Sequence, residues 1–343
     1  MNKKILIRAD GNEHIGAGHI MRCLSIGKEA KILGVDVSFV TADKSFLSIL
    51  QYNGFKVYVL DTDYKAMETE LDVFLPILIQ EKPDAVILDS YYVTPYYMES
   101  VKNITKLVYI DDVLAFPYPV DILINYNVYA SKTKYLKLYS DKKIPKMLLG
   151  CKYIPLRDEF QKGKAIKIES TVKSILFSAG GSDPERIALR FTENIIANES
   201  FSDIVFHIVL GSFEPDSNKI EEISKSNINI VPHRNVSRMS DLMLQCDLAV
   251  SAAGSTLYEL CACGVPTITY VLADNQLPGA TAFSDLGIMV NAGDDRTDGN
   301  LIENINDAIL CLISNIAIRK LMQSKGMSFV DGNGAKRIVQ EIM

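Results

Sequence analysis

KILIRADGNEHIGAGHIMRCLS, residues 4–25, runs from a short apolar stretch through three glycines into a segment with helical spacing. KILIRA reads as a strand, and Ile20, Cys23 and Leu24 open the apolar face of a helix. Gly18 and His19 then fall in that helix's first turn. A strand, a glycine loop and a helix form the first half of a βαβ unit, so the question is whether the chain repeats the pattern.

It does. Apolar, β-branched runs alternate with helical-length segments at VDVSFVTA (35–42), FKVYVLD (55–61), DAVILDS (84–90), KLVYIDD (106–112) and DILINYN (121–127). Between two of them, ETELDVFLPILIQEK places Leu71, Phe74, Leu75 and Leu78 on one helical face. This rhythm predicts a parallel sheet covered by helices on both sides. The stretch CKYIPLRDEFQKGKAIKIES (151–170) turns polar and lysine-rich, and strands then resume at SILFSAGG, DIVFHIVLG, NINIVP, DLAVSAAG and VPTITYVLA. The expectation is an α/β protein of two Rossmann-like, doubly wound domains facing a cleft, residues 1–155 and 165–343. Open sheets of this kind bind ligands at the carboxyl ends of their strands. The closing GAKRIVQEIM could pack on either domain.

Composition narrows the function. With 343 residues, 48% hydrophobic and 23% charged, the chain is long enough for two cores, and its net charge of −6 argues against a nucleic-acid partner. No apolar run approaches the length of about 18 residues that a membrane span needs. Cys23, Cys151, Cys246, Cys261, Cys263 and Cys311 lie in apolar contexts without paired spacing, which suggests buried free thiols and a cytoplasmic protein. No cluster has metal-ligand spacing, and Cys261 with Cys263 reads as core.

Three strand-to-helix loops carry candidate chemistry. In the first, Gly16 and Gly18 permit close backbone approach, and free N–H groups of the helix's first turn favour an anion. The same field opposes a positive charge on an imidazole placed there, which suits His19 to act as a base. The loop is neither the dinucleotide fingerprint nor the Walker loop. The second, AGGSDPER, sets Gly180, Gly181 and Ser182 before a helix expected near Pro184 or Glu185. In the third, SAAGSTLYEL, Ala253 and Gly254 precede Ser255 and Thr256 at a helix start, with Glu259 one turn on. Each is also what a well-capped turn would look like. Further strand ends offer Asp89 and Tyr91, Asp111 and Asp112, Asn125 and Asn127, and Asn275 with Gln276. Asp111 and Asp112 are adjacent and should point in opposite directions, so they do not form an acid–base pair. His14, His207 and His233 have weaker claims, and His207 should be packed within its strand.

The order GAGHIMRCL, LDSYY, IDD, DILINYN, FSAGGSD, SAAGSTLYEL and DNQ resembles the UDP-sugar hydrolases of bacterial pseudaminic acid biosynthesis, over nearly the whole chain. Those enzymes release UDP from UDP-2,4-diacetamido-2,4,6-trideoxy-β-L-altropyranose. The resemblance implies the glycosyltransferase-B fold, a UDP-sugar and water as partners, and no cofactor or metal. It makes His19 the base that activates water for an inverting displacement. Arg8, Asp10, Gly16, Gly18, Arg22, Tyr91, Asn275 and Gln276 would contact the sugar or shape the first-domain loop, and Asp10 is a carboxylate that could orient His19. Gly180, Gly181, Ser182, Ala253, Gly254, Ser255 and Thr256 would hold the diphosphate and Glu259 the ribose. The backbone from Val231 to Arg234 would meet uracil. The G-S-T-x-x-E-x-x-x-x-G-x-P pattern is also similar to the donor site of MurG-type N-acetylglucosaminyltransferases, so a transferase, or a nucleotide-sugar-binding protein without activity, is the alternative. Two departures stand out: Tyr92 occupies the place of glycine in the family's D-x-Y-G pattern, and SAAGS has glycine where some members have serine.

Overall fold

The computed structural model describes residues 3–12, 14–161, 164–180, 183–211 and 214–343. The chain divides into two compact units, Met1–Asp158 with Gly332–Met343, and Glu159–Asp331.

The first unit carries β1 (Lys4–Ala9), β2 (Asp36–Thr41), β3 (Lys56–Val59), β4 (Ala85–Asp89), β5 (Lys106–Ile110), β6 (Ile122–Asn125) and β7 (Lys146–Leu149). They pair in parallel in the order β3-β2-β1-β4-β5-β6-β7. Central strands of such a sheet are buried on both faces. Ile5 and Ile7 accordingly pack with Ile20 and Leu24 of the helix Gly18–Ile32, while Leu6 points the other way into a core with Phe74, Leu78 and Tyr97. The helix Leu71–Glu81 buries Leu71, Phe74 and Leu78, the face its spacing predicts.

The second unit repeats the plan with β8 (Ser174–Ser178), β9 (Val205–Leu210), β10 (Ile230–Arg234), β11 (Leu248–Ala252), β12 (Thr267–Val271) and β13 (Met289–Asp294). The order is β10-β9-β8-β11-β12-β13, again parallel throughout. Its core gathers Ile175, Phe177, Phe191, Phe206, Val250 and Ile268. Two doubly wound α/β domains in succession are the architecture of the glycosyltransferase-B fold.

Several expectations need correction. Residues 332–343 belong to the first unit and not to a domain running from 165 to 343. The helix Gly334–Ile342 buries Ala335, Ile338, Val339 and Ile342 in the same core as Ile5 and Ile26. Its start needs glycine, because a Cβ on Gly334 would sit 2.0 Å from the Ile154 carbonyl oxygen. Ile338→Ala should therefore destabilise the first unit by about 2–5 kcal/mol, read from urea unfolding, although the residue lies near the end of the chain. The edge strands β7 and β13 escape the sequence rhythm; MVNAGD, with its Asn, Gly and Asp, has little strand propensity and is fixed by its pairing to β12. The helix after Gly180 starts at Ile187, later than Pro184 or Glu185, because Arg186 takes a left-handed conformation and Asp183 Oδ2 accepts the Ala188 N–H at 2.7 Å. Cys311 is exposed, whereas the other five cysteines are buried; all six are free thiols. Among the described residues, no single helix is long and apolar enough to cross a membrane.

Candidate functional site

In the first sheet the strand order reverses between β1 and β4. Connections leave these neighbours toward opposite sides, so a crevice opens at their carboxyl ends. The loop after β1 and the turn after β4 supply its walls. Gly16, at φ +71, turns the loop back so that its N–H reaches the Asn12 carbonyl at 2.8 Å, a conformation glycine adopts without strain. The helix that follows starts at Gly18, which places His19 in its first turn, as expected.

His19 is 5% exposed and lies at the centre of the site. Its Nδ1 is 2.7 Å from Asp89 Oδ1, at the end of β4. Arg22, one turn along the same helix, reaches the same carboxylate from the other side, with Nε to Oδ2 at 2.6 Å and Nη2 to Oδ1 at 2.5 Å. Arg22 Nη1 also donates to the Tyr126 hydroxyl at 2.5 Å and to Asp112 Oδ2 at 3.1 Å. The Asp89 carboxyl is fully enclosed. Burial alone would raise its pKa, but the charge and hydrogen bonds of Arg22, with His19 adding, outweigh burial and hold it well below the usual carboxylate range. An ionised Asp89 can only accept, so Nδ1 of His19 carries hydrogen in this bond, and in the neutral ring Nε2 keeps the lone pair. Arg22 Nη2, 3.4 Å from a nitrogen that already bears hydrogen, adds no useful bond to it.

Tyr91 packs edge-on against the His19 ring, with centroids 4.6 Å apart, and donates to Asp112 Oδ2 at 3.2 Å. Asp10, Ile15, His19, Asp89, Ser90, Tyr91 and Tyr92 together line a partly open cavity of about 10 Å³. Asp111 and Asp112 do diverge. Asp112 faces Arg22 and Tyr91, whereas buried Asp111 accepts from the Tyr118 hydroxyl at 2.8 Å and the Val113 N–H at 2.9 Å.

Three readings of the first unit change. Arg8 is not a substrate contact: it is fully buried, gripping Glu70 through Nε at 2.8 Å and Nη2 at 2.6 Å, with Nη1 on Asp10 at 2.6 Å. At the penultimate position of β1 its side chain alternates into the core below the crevice. Asp10 lines the cavity but does not orient His19, since Oδ2 takes Arg8 and Oδ1 takes the Ala42 N–H at 2.7 Å. Arg22 directs donors to Asp89, Asp112 and Tyr126, so it supports His19 through the Asp89 carboxylate. Asn125 is likewise structural, bonding the Tyr135 hydroxyl at 2.9 Å. Sequence reasoning passed over Ile15, Ser90 and Tyr126. Their only signal was position, in a loop or at a strand's carboxyl end.

In the second unit the order reverses between β8 and β11, and the two remaining loops follow those strands. Gly180, at φ +95, lies after β8, while Gly181 and Ser182 fall outside the described residues. After β11, buried Ala253 leads to exposed Gly254 and Ser255, and the helix Thr256–Cys263 follows. No side chain caps that helix, and a Cβ on Gly254 would meet only open space, so the first turn is approachable. Glu259 is half-buried one turn on. Val231, the second residue of β10, pairs with His207 of β9, whose Nδ1 lies 2.9 Å from His233 Nε2; both histidines are half-buried, and burial lowers the pKa of each. Asn275 is exposed after β12, while Gln276 folds back to accept the Leu272 N–H at 2.8 Å. Among the described residues no group of three or more acidic, histidine or cysteine side chains could hold a metal ion.

Known proteins are similar to this chain in sequence and in fold. The C-terminal domain of glycosyltransferase family 28 matches residues 175–340. An uncharacterized protein of Methanocaldococcus jannaschii is 28% identical over 80% of this chain and 56% of its own length, so the chain spans little more than half of that relative. The UDP-2,4-diacetamido-2,4,6-trideoxy-β-L-altropyranose hydrolase of Campylobacter jejuni is 27% identical over 84% of this chain and 98% of its own length. Among solved structures, the MurG of Acinetobacter baumannii superposes with a TM-score of 0.71 over 100% of this chain and 99% of its own, at 14% identity. This likeness identifies the glycosyltransferase-B fold.

Proposed function

We propose that this protein hydrolyses a UDP-linked 2,4-diacetamido-2,4,6-trideoxyhexose, releasing UDP and the free sugar with inversion at the anomeric carbon. The observation that carries the reading is the Asp89–His19 pair beside a cavity with room for a single water. His19 Nε2 takes a proton from that water as its oxygen attacks C1. The bond from C1 to the UDP oxygen breaks from the opposite face, and UDP leaves with the electron pair. Asp89 positions the ring and stabilises the imidazolium that forms, and Arg22 keeps Asp89 ionised and in place. Tyr91 fixes the other side of the ring and contacts the sugar.

The second unit would bind UDP. Backbone N–H groups at Gly180, Gly254, Ser255 and Thr256 meet the diphosphate, as helix N-termini and glycine turns do for anions, and Ala253 lets the phosphates approach. Glu259 accepts from the ribose hydroxyls, and the backbone from Val231 meets uracil. These groups supply leaving-group stabilisation without a metal. The name of the Campylobacter relative supports this substrate, and the tight space beside His19 supports water as the nucleophile. The family 28 match favours a second reading, transfer of the sugar to an acceptor.

Incubation with the UDP-sugar named above, followed by NMR of both UDP and the sugar's anomeric proton, tests the two together. Hydrolysis predicts UDP release with no added acceptor and an inverted product. Release that depends on an acceptor would replace it with the transferase reading, and binding of UDP without turnover would leave a nucleotide-sugar-binding protein.

The Asp89 carboxylate gives a separate expectation. Asp89→Asn should reverse the tautomer preference of His19 and lower kcat by about 10²–10⁴-fold with a much smaller change in KM. Its linkage to stability has a definite sign. The folded chain holds this carboxyl below its ordinary value of 3.8, so its contribution is complete above that pH and is lost as the pH falls through the lower folded value. Urea midpoints measured from pH 6 downward should therefore fall less steeply below about pH 4 in the Asn variant.

A further inference from the structure

We propose that Tyr92 selects the nucleophile, closing the space beside His19 so that water enters and alcohols do not. The proposal deepens the hydrolytic reading and rests on it.

Tyr92 lines the cavity of about 10 Å³ together with Ile15, His19 and Tyr91. Both tyrosine walls are held in place. The Tyr92 ring stands edge-on to Tyr64, with centroids 5.6 Å apart at 76°, and its backbone N–H donates to Ser90 Oγ at 3.2 Å. Tyr91 is fixed between His19 and Asp112. The polar lining suits a water, which needs two to four hydrogen-bond partners, and His19 Nε2 and Ser90 Oγ can serve. Asp10 and Asp89 are already engaged by Arg8, Ala42, Arg22 and His19. Inside that cavity the carbon of an alcohol would press on Ile15, Tyr91 or Tyr92, and one added methyl group in a filled site disfavours binding about tenfold or more.

Removing the Tyr92 side chain should therefore admit methanol. Methanol oxygen would attack C1, its proton would pass to His19 Nε2, and the C1–O bond to UDP would break as in hydrolysis. The products are UDP and the methyl glycoside.

The test supplies wild type, Tyr92→Gly and Tyr92→Phe with UDP-2,4-diacetamido-2,4,6-trideoxy-β-L-altropyranose in buffer containing increasing methanol, and measures methyl glycoside against free sugar by mass spectrometry. The expected result is free sugar alone from wild type and Tyr92→Phe, and a glycoside-to-sugar ratio raised about tenfold or more by Tyr92→Gly. Retention of the wild-type behaviour in Tyr92→Phe would assign the effect to the ring and not to its hydroxyl. Equal ratios in wild type and Tyr92→Gly would overturn the role of Tyr92 while leaving hydrolysis intact. If Tyr92→Gly does not fold, Tyr92→Ala or Tyr92→Leu supplies the same comparison. No UDP release by wild type under any condition would overturn the hydrolytic reading itself, and this inference with it.

Discussion

His19→Ala is expected to lose turnover by about 10²–10⁴-fold while binding UDP with unchanged affinity. The size follows from what the side chain does. A positioned general base removes the need for water to attack as a neutral nucleophile, and among the described residues that line the cavity no other base is placed to replace it. Asp10 and Asp89 have their oxygens committed, and Asp89 is held ionised by a buried guanidinium that makes it a weak base. UDP affinity should not move, because every group proposed to hold the nucleotide lies in the other unit. Nor should folding suffer much, since Arg22 still neutralises Asp89 after the imidazole is gone. Calorimetry with UDP beside a turnover assay separates these effects, and undiminished turnover by the variant would remove His19 from the mechanism.

Glu70→Ala is expected to have the largest effect on stability, about 3–5 kcal/mol, which for a unit of this size is a fall in Tm of about 6–20 °C. Arg8 and Glu70 are both fully buried and joined by two hydrogen bonds, and the Tyr97 hydroxyl adds a third to Glu70 at 2.6 Å. Burial alone would lower the Arg8 pKa; Glu70 and Asp10 outweigh it and raise the pKa well above the ordinary value. Deleting the carboxylate leaves that cation enclosed with Asp10 alone. The penalty arises from the stranded charge and not from the pair's net worth, so a double variant, Arg8→Met with Glu70→Leu, should recover most of the loss. Thermal melts of the two variants decide this: equal losses in the single and double variants would show that packing, not charge, is at stake. Activity should fall as well in Glu70→Ala, because Arg8 anchors Asp10 in the wall of the His19 cavity.

Both effects depend on side chains whose partners lie far along the chain, and this marks where sequence reasoning stopped. His19 was legible because its neighbours are local: an apolar strand, glycines that free the backbone, and a helical face beginning one residue later. Asp89 was visible as a strand end and no more. Its contact with His19 spans 70 positions and exists because β1 and β4 are adjacent at the reversal of strand order. Arg8 shows the opposite failure. A basic residue near the carboxyl end of a strand looks like a ligand contact, yet the alternation of side chains directs it to the core, where Glu70 and Tyr97 arrive from other elements. The final helix had a strongly amphipathic pattern, which assures burial of one face but says nothing about which core receives it.

By itself the sequence determined the alternation of buried strands and covering helices, the two-domain plan, and the three glycine-bearing turns, since each depends on local periodicity and backbone freedom within a few residues. Only the tertiary structure decided that Asp89, and not Asp10, orients His19, that Arg8 and Arg22 serve other side chains, that Tyr92 lines the cavity, and that residues 332–343 return to the first unit. These are outcomes of strand order and of which side of the sheet each helix covers. They depend on contacts between distant segments, which no local pattern of residues encodes.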